Sequence, residues 1–236
     1  MMHKPMPRVF RLLALGTLST MAILTGCSSS SSTNGEASKS AHQIFSDSER
    51  ATESVSSVHV SGRFTSGSDK VSLDFVDSSG RSGGTISDKG ATFQIILSGK
   101  TVYIKGSQAT MTKLAGQAAG QLLGGKWLQT TTTDKNFGDF AEIFNLPDLI
   151  KHVQPTGTLH KDSATNVNGQ SVVGLTDTSR KGTLYVATTG RPYMVELVGP
   201  PKEPGTITFD HYGTAKRPAI PKGAVNLDQL EGGTGA

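Results

Sequence analysis

The sequence predicts an α+β protein built on a single curved antiparallel sheet, a half-barrel, with helices packed on its concave face. Apolar and polar residues alternate over several short segments in both halves of the chain, and two helical segments lie between these halves. The composition, with 28 glycines, 35% hydrophobic and 18% charged residues, favours short strands and turns over long helices. Strands, then helices, then strands place the helices on one face of one sheet, which curves around them.

Residues 1–26 have the pattern of an export signal. Lys4, Arg8 and Arg11 precede an apolar run over residues 12–24. This run is shorter than the ~20 apolar residues of a membrane-spanning helix. Without these three cations, 20 Lys and Arg remain against 19 Asp and Glu, so that the net charge falls from +4 to +1. A nearly neutral mature chain predicts no nucleic-acid partner.

The signal ends in Leu24-Thr25-Gly26-Cys27, which contains the single cysteine of the chain. This stretch resembles the lipobox of bacterial lipoproteins, whose cysteine thiol receives a diacylglycerol before a peptidase cuts in front of it. The resemblance implies that Cys27 is lipidated and that two or three acyl chains anchor the protein to the outer face of the cytoplasmic membrane. The alternative is a plain secretory signal followed by a chance cysteine.

Residues 27–39 are predicted to be a flexible tether, and residues 40–236 the folded domain. The tether is rich in serine and almost free of apolar residues, so it buries too little surface to fold. The domain begins with a helix over residues 40–55, in which Ile44, Ala51 and Val55 recur on one face.

Alternating apolar residues predict a first group of strands and a second group near the C-terminus. The first group covers residues 58–64, 70–77, 92–98 and 101–106, with a glycine-rich turn at residues 80–84. Helices are predicted over 111–123 and 139–153, the second interrupted near Pro147, and a strand begins at Trp127. Further strands follow from residue 156 to residue 213, and a proline-containing tail ends the chain.

Two motif matches are interpreted as turns. Gly80–Gly84 matches G-x-S-x-G, but a nucleophile elbow lies between a strand and a helix, whereas this stretch lies between two strands. Gly120–Lys126 matches most of a phosphate-binding loop, but Trp127 stands where Ser or Thr is needed. The sequence therefore predicts neither an enzyme nor a nucleotide cofactor.

The six histidines have no metal-ligand spacing, so the sequence predicts no metal site unless the fold brings distant residues together. His59 alternates with the apolar Val58 and Val60, which predicts that it lies on the surface of a strand.

The stretches "VHVSGRF", "KTVYIKG", "KWLQTTT", "GTLYVATTGRPYMVELV" and "ITFDHYG", with the tail after them, resemble the actinobacterial lipoproteins of the LppX and LprG type. These are relatives in fold of the LolA and LolB carriers, and the resemblance covers residues 40–230. It implies a half-barrel closed by helices around an apolar cavity, and binding of an acylated lipid or glycolipid as a monomer.

The inner faces of the strands and the helix over residues 111–122 are the expected walls and lid of that cavity. The candidate lining residues are Leu73, Phe75, Phe93, Ile95, Val102, Ile104, Met111, Leu114, Ala115, Ala118 and Leu122. The helical stripe, with Gly116 and Gly120, fits ordinary core packing as well. The alternative function is a non-carrier module that uses the same fold to sense the envelope or to hold a partner protein.

Overall fold

A computed structural model of the chain describes residues 32–135, 137–227 and 229. Ser31–Ala236 form one compact unit. The predicted signal peptide, Cys27 and the first part of the predicted tether lie outside the described residues. Within the described ranges, no helix has the length and the apolar character that crossing a bilayer requires.

The helices and strands follow the predicted order. The helices of the described ranges are a 3₁₀ turn (Glu36–Ser38), α1 (Ala41–Glu53), α2 (Gln108–Leu123), α3 (Gly138–Ile143) and α4 (Leu146–His152). The strands are β1 (Ser57–Ser66), β2 (Asp69–Ser78), β3 (Arg81–Asp88), β4 (Ala91–Ser98), β5 (Thr101–Gly106), β6 (Leu128–Thr131), β7 (Leu159–Val167), β8 (Gln170–Asp177), β9 (Thr183–Ala187), β10 (Met194–Val198), β11 (Gly205–Asp210) and β12 (Val225–Asn226).

These strands form a single sheet in the order β12-β6-β5-β4-β3-β2-β1-β11-β10-β9-β8-β7. Every pair is antiparallel except β12 with β6, which is parallel. Two meanders therefore meet at the centre, where β1 pairs with β11 along its length. The predicted fold class, α+β with one large, open, curved antiparallel sheet, is confirmed.

Aromatic side chains fix the helical connection to the first meander. Phe75 of β2 packs on Phe144, which follows α3, with ring centroids 4.9 Å apart. Phe93 of β4 packs on Phe140 of α3 at 5.3 Å. On the other side, α1 lies against β7, β9, β10 and α4. Its start is fixed by a reciprocal pair of hydrogen bonds between Ser40 and the third helical residue.

The glycine-rich stretch predicted as a turn is the strand β3. The turn before it is shorter, at Ser79 and Gly80, both with positive φ. A Cβ atom on Gly84 would clash with the backbone of β2 at Phe75, so glycine is needed for close strand approach and not for turning. Ser82, the serine of the G-x-S-x-G match, is buried, and its hydroxyl donates to the carbonyl of Phe144.

Residues 33–39 pack on the domain, although a flexible tether is predicted over residues 27–39. The Asn34 amide donates to a carbonyl of β9 over 3.0 Å. Glu36 is only 2% exposed, and its carboxylate accepts a hydrogen bond from Lys39 over 2.7 Å. These contacts are polar, and the one from Asn34 joins residues far apart in sequence, so the scarcity of apolar residues on which the prediction depends did not reveal them.

Candidate functional site

A cavity of about 500 Å³ opens between α1, α3, α4 and the strands around β11. This volume lies within the range of ~300–1,000 Å³ that is typical of small-ligand pockets. Its floor is made of buried apolar side chains, namely Leu73, Leu149, Leu159, Leu175, Leu184 and Ile207. Its walls are made of half-buried apolar side chains, among them Phe45, Phe64, Ile143, Val153, Leu197 and Val198.

Glycines make room for the cavity at the ends of the strands. Gly182, Gly199 and Gly205 all line it. Gly205 pairs with Phe64 across β11 and β1, and a Cβ atom there would clash with the Phe64 backbone and side chain. The missing side chains let the phenylalanine ring lie over the neighbouring strand, where it becomes part of the cavity wall.

Polar side chains of both charge signs lie at the exposed edge of the cavity, which we call the rim: Glu142, His152, Arg180 and Glu203. His152 Nε2 lies 3.8 Å from a Glu142 carboxylate oxygen, and its Nδ1 lies 2.8 Å from the Asp148 carbonyl oxygen. The cavity therefore combines an apolar interior with a charged entrance, an arrangement that suits a ligand with one apolar and one polar end.

Asp177 holds the loops beside the rim and is 6% exposed. Its carboxylate accepts hydrogen bonds from the backbone N–H groups of Thr156 at 2.8 Å, Ser179 at 2.7 Å and Arg180 at 3.3 Å. Burial by itself would raise the pKa of Asp177, but these donors, together with the N–H of Gly157, lower the pKa below the ordinary value of 3.8.

The structure separates the predicted lining residues into three groups. Leu73 lines the cavity. Six others are buried in the core and do not line it: Phe75, Phe93, Ile95, Val102, Ile104 and Met111. The remaining four lie exposed on α2: Leu114, Ala115, Ala118 and Leu122.

The helices that border this cavity are α1, α3 and α4, whereas α2, the expected lid, does not contribute to it. The helix α2 packs on β4 and β5, at the opposite half of the sheet from the cavity. Gly116, with φ of 87°, breaks the helical geometry in its middle. Met111 is buried, whereas Leu114, before the break, and Leu122, after it, are 46% and 59% exposed.

The predicted lining residues do not include those that form the cavity walls, although the sequence contains a signal for two of the wall residues. Leu197 and Val198 are consecutive apolar residues at the end of β10, directly before Gly-Pro-Pro. In a regular strand, neighbouring side chains point to opposite faces, so an apolar pair at a strand end indicates that both faces meet apolar surroundings. Phe45 and Phe64 carry no comparable signal.

Comparison with known proteins adds support for the fold. No protein-family model matches the chain, and no curated protein sequence matches it. Among solved structures, LprF from Mycobacterium bovis is similar, with a TM-score of 0.53 and 17% identity over 78% of this chain and 97% of that chain. An uncharacterised conserved protein from Thermus thermophilus matches with a TM-score of 0.40 and 10% identity over 80% of this chain and 99% of that chain. The likeness to LprF shows a shared fold.

Asp177→Asn is expected to lower the free energy of unfolding at pH 7 by about 1–3 kcal/mol, since several backbone donors lose a charged acceptor. Because the folded-state pKa is lowered, the carboxylate stabilises the fold above pH ~4, and this contribution is lost as the pH falls through the folded-state value. The difference between wild type and variant should therefore shrink on acidification.

Urea unfolding at pH 7, 5 and 3, followed by circular dichroism, measures this difference. The matched control is Asp88→Asn, in the hairpin between β3 and β4. This substitution should change the free energy of unfolding little. If the loss of unfolding free energy in Asp177→Asn stayed constant or grew towards acidic pH, the lowered pKa of Asp177 would be contradicted.

Proposed function

We propose that the protein is a membrane-anchored lipoprotein that binds or carries lipids or glycolipids in this cavity, outside the cytoplasmic membrane. The observation that carries the proposal is the wall of half-buried apolar side chains, such as Phe64, Leu197 and Val198. These side chains line an open cavity, and Phe64 and Leu197 also pack against the core beneath it. An acyl chain that fills it removes apolar surface from water on both partners, at about 25 cal/mol per Å².

The rim supports a cargo with a polar head group. Arg180 and His152 offer donors, and Glu142 and Glu203 offer acceptors, at the edge of the apolar interior. A head group of a phospholipid or glycolipid can exchange hydrogen bonds there while the chain lies inside. Binding of this kind needs no covalent step, which agrees with the buried position of Ser82 in the sheet.

The resemblance of the first 27 residues to exported lipoproteins supports the anchoring part of the proposal. Cys27 supplies the attachment point, and two or three acyl chains give the stable membrane binding that one chain does not. The anchor would keep the rim within reach of the bilayer that supplies or receives the cargo.

The exposed apolar residues of α2 favour the second candidate, a module that binds a partner protein. Leu114 and Leu122 are among the large hydrophobic residues exposed in the described ranges, and Ala115 and Ala118 accompany them. This surface lies on the helix that the cavity does not use, so separate substitutions distinguish the two functions.

Leu197→Trp is expected to weaken binding of an acyl chain about tenfold or more, which corresponds to ~1.4 kcal/mol or more, because the indole ring occupies the cavity that Leu197 lines. The measurement is titration of a fluorescent fatty acid into the unit Ser31–Ala236, together with native mass spectrometry for lipids that copurify.

The matched control is Ala118→Trp, which places the same ring on the exposed surface of α2 and should leave acyl-chain binding unchanged. Equal binding by wild type and Leu197→Trp contradicts the cavity as the binding site. Loss of binding only in Ala118→Trp would indicate that the acyl chain binds the surface of α2 and not the cavity.

Cys27→Ser is expected to move the protein from the membrane fraction to the soluble fraction of cells that process lipoproteins, since the thiol is the acylation site. Fractionation, with mass spectrometry of the N-terminal peptide, measures this change. Ser28→Ala is the control and should stay in the membrane fraction. An unmodified Cys27 thiol in the wild-type protein would contradict the anchor.

A further inference from the structure

Four titratable side chains meet on the outer face of the sheet, most of them far apart in sequence. We call His59, Asp74, Asp210 and His211 the His–Asp cluster. His59 on β1 lies between the buried Val58 and Val60, so its ring points outward, as the sequence predicts. Asp74 on β2 and Asp210 on β11 likewise follow buried residues of the core face.

The strand register brings the side chains of the His–Asp cluster together. His59 is directly opposite Asp210, and Asp74 is the diagonal neighbour of His59 on β2. The Nδ1 atom of His59 lies 2.7 Å from Asp210 Oδ1. The Nδ1 atom of His211 lies 2.7 Å from the same oxygen. Two imidazole nitrogens thus converge on one carboxylate oxygen.

The backbone of His211 is arranged so that its ring joins this group. In a regular strand, residues 210 and 211 would point to opposite faces of the sheet. His211 instead has φ of 51°, in the left-handed region that few non-glycine residues adopt. The turn is fixed by hydrogen bonds from Thr214 N and Ala215 N to the His211 carbonyl. Its imidazole therefore lies on the same side as Asp210.

Asp74 orients the ring of His59. Its carboxylate lies 3.2 Å from His59 Nε2, so it can accept the Nε2–H hydrogen bond. In neutral His59, this tautomer directs the lone pair of Nδ1 towards Asp210 Oδ1, which is itself an acceptor. Histidines that bind zinc usually have this arrangement. One ring nitrogen donates its N–H to a carboxylate, and the other ring nitrogen faces the metal site.

We propose that the His–Asp cluster binds a divalent first-row transition metal ion, Zn²⁺ or a similar ion, through His59 Nδ1, His211 Nδ1 and Asp210 Oδ1. These three residues each offer one donor atom, and the donor atoms lie within 4.8 Å of one another. Two imidazoles and one carboxylate form a donor set that zinc accepts, with the fourth position left for water. Two carboxylates and two neutral imidazoles carry two negative charges, which a divalent ion neutralises.

The ligand atoms must move apart to admit the ion. Bonds of about 2.0–2.1 Å in a tetrahedral site separate neighbouring ligand atoms by about 3.3 Å. The two N···O distances of 2.7 Å must therefore lengthen by about 0.6 Å. The side chains of Asp210 and His211 are 43% and 67% exposed, so they can make this adjustment without moving the core.

Calorimetric titration of ZnCl₂ into the full chain, stripped of metal with a chelator and carrying no histidine tag, tests the proposal. We expect one tight zinc site and no competition from Mg²⁺, which prefers oxygen ligands. Asp74→Asn should weaken zinc binding roughly tenfold or more, as loss of an orienting carboxylate does. His59→Asn and His211→Asn should weaken it at least as much.

Asparagine at position 211 is chosen because it tolerates the left-handed backbone, so that the fold is kept while the ligand is lost. The control is His160→Asn, which removes an exposed histidine that also faces an aspartate, at 3.8 Å, and should leave the affinity unchanged. X-ray absorption of the zinc-loaded protein should give nitrogen and oxygen neighbours. Sulfur neighbours, equal affinity in wild type and His211→Asn, or no zinc binding by the wild type would each overturn the proposal.

Discussion

The architecture depends on one constraint, namely that a single curved sheet must bury the whole of its concave face. Within the described ranges, four helices are available to cover twelve strands. The helical connection around Phe140 and Phe144 fills the space over β2 and β4 with aromatic rings. Over the strands next to β11 the cover comes from α1 and α4 and is incomplete, so apolar side chains there face a cavity. The candidate site is thus the part of the core that the helices leave open.

Close approach of backbone to backbone shapes both the sheet and the cavity. Gly84 and Gly205 each lie opposite a phenylalanine, at Phe75 and Phe64, and side chains at either glycine would clash with the neighbouring strand. One phenylalanine completes the packed core and the other forms part of the cavity wall. The same local arrangement, a phenylalanine opposite a glycine, therefore contributes to the packed core between β2 and β3 and to the cavity wall between β1 and β11.

The sequence was sufficient for the fold and insufficient for the site. Alternating apolar residues such as Val71, Leu73 and Phe75 predict a strand and its buried face. In the structure these residues lie on β2, and all three are buried. The lining of a cavity depends on which part of the buried face a helix covers, and this is set by long-range packing that periodicity does not encode. The exposed stripe of α2 illustrates the limit, because Leu114 follows the buried Met111 at helical spacing and is nevertheless exposed. The His–Asp cluster illustrates it as well, since its members come from three strands and the turn after the last of them.

The proposed function requires that an acyl chain lie between α1, α4 and the strands next to β11. Photo-crosslinking tests it most directly, with a fatty acid that carries a diazirine in its chain, followed by mass spectrometry of the labelled peptides. Labels are expected on peptides that contain Phe64, Leu197 or Val198, and unlabelled acid should compete for these positions. Labels confined to α2, around Leu114 and Leu122, or no label that unlabelled acid displaces, would contradict it.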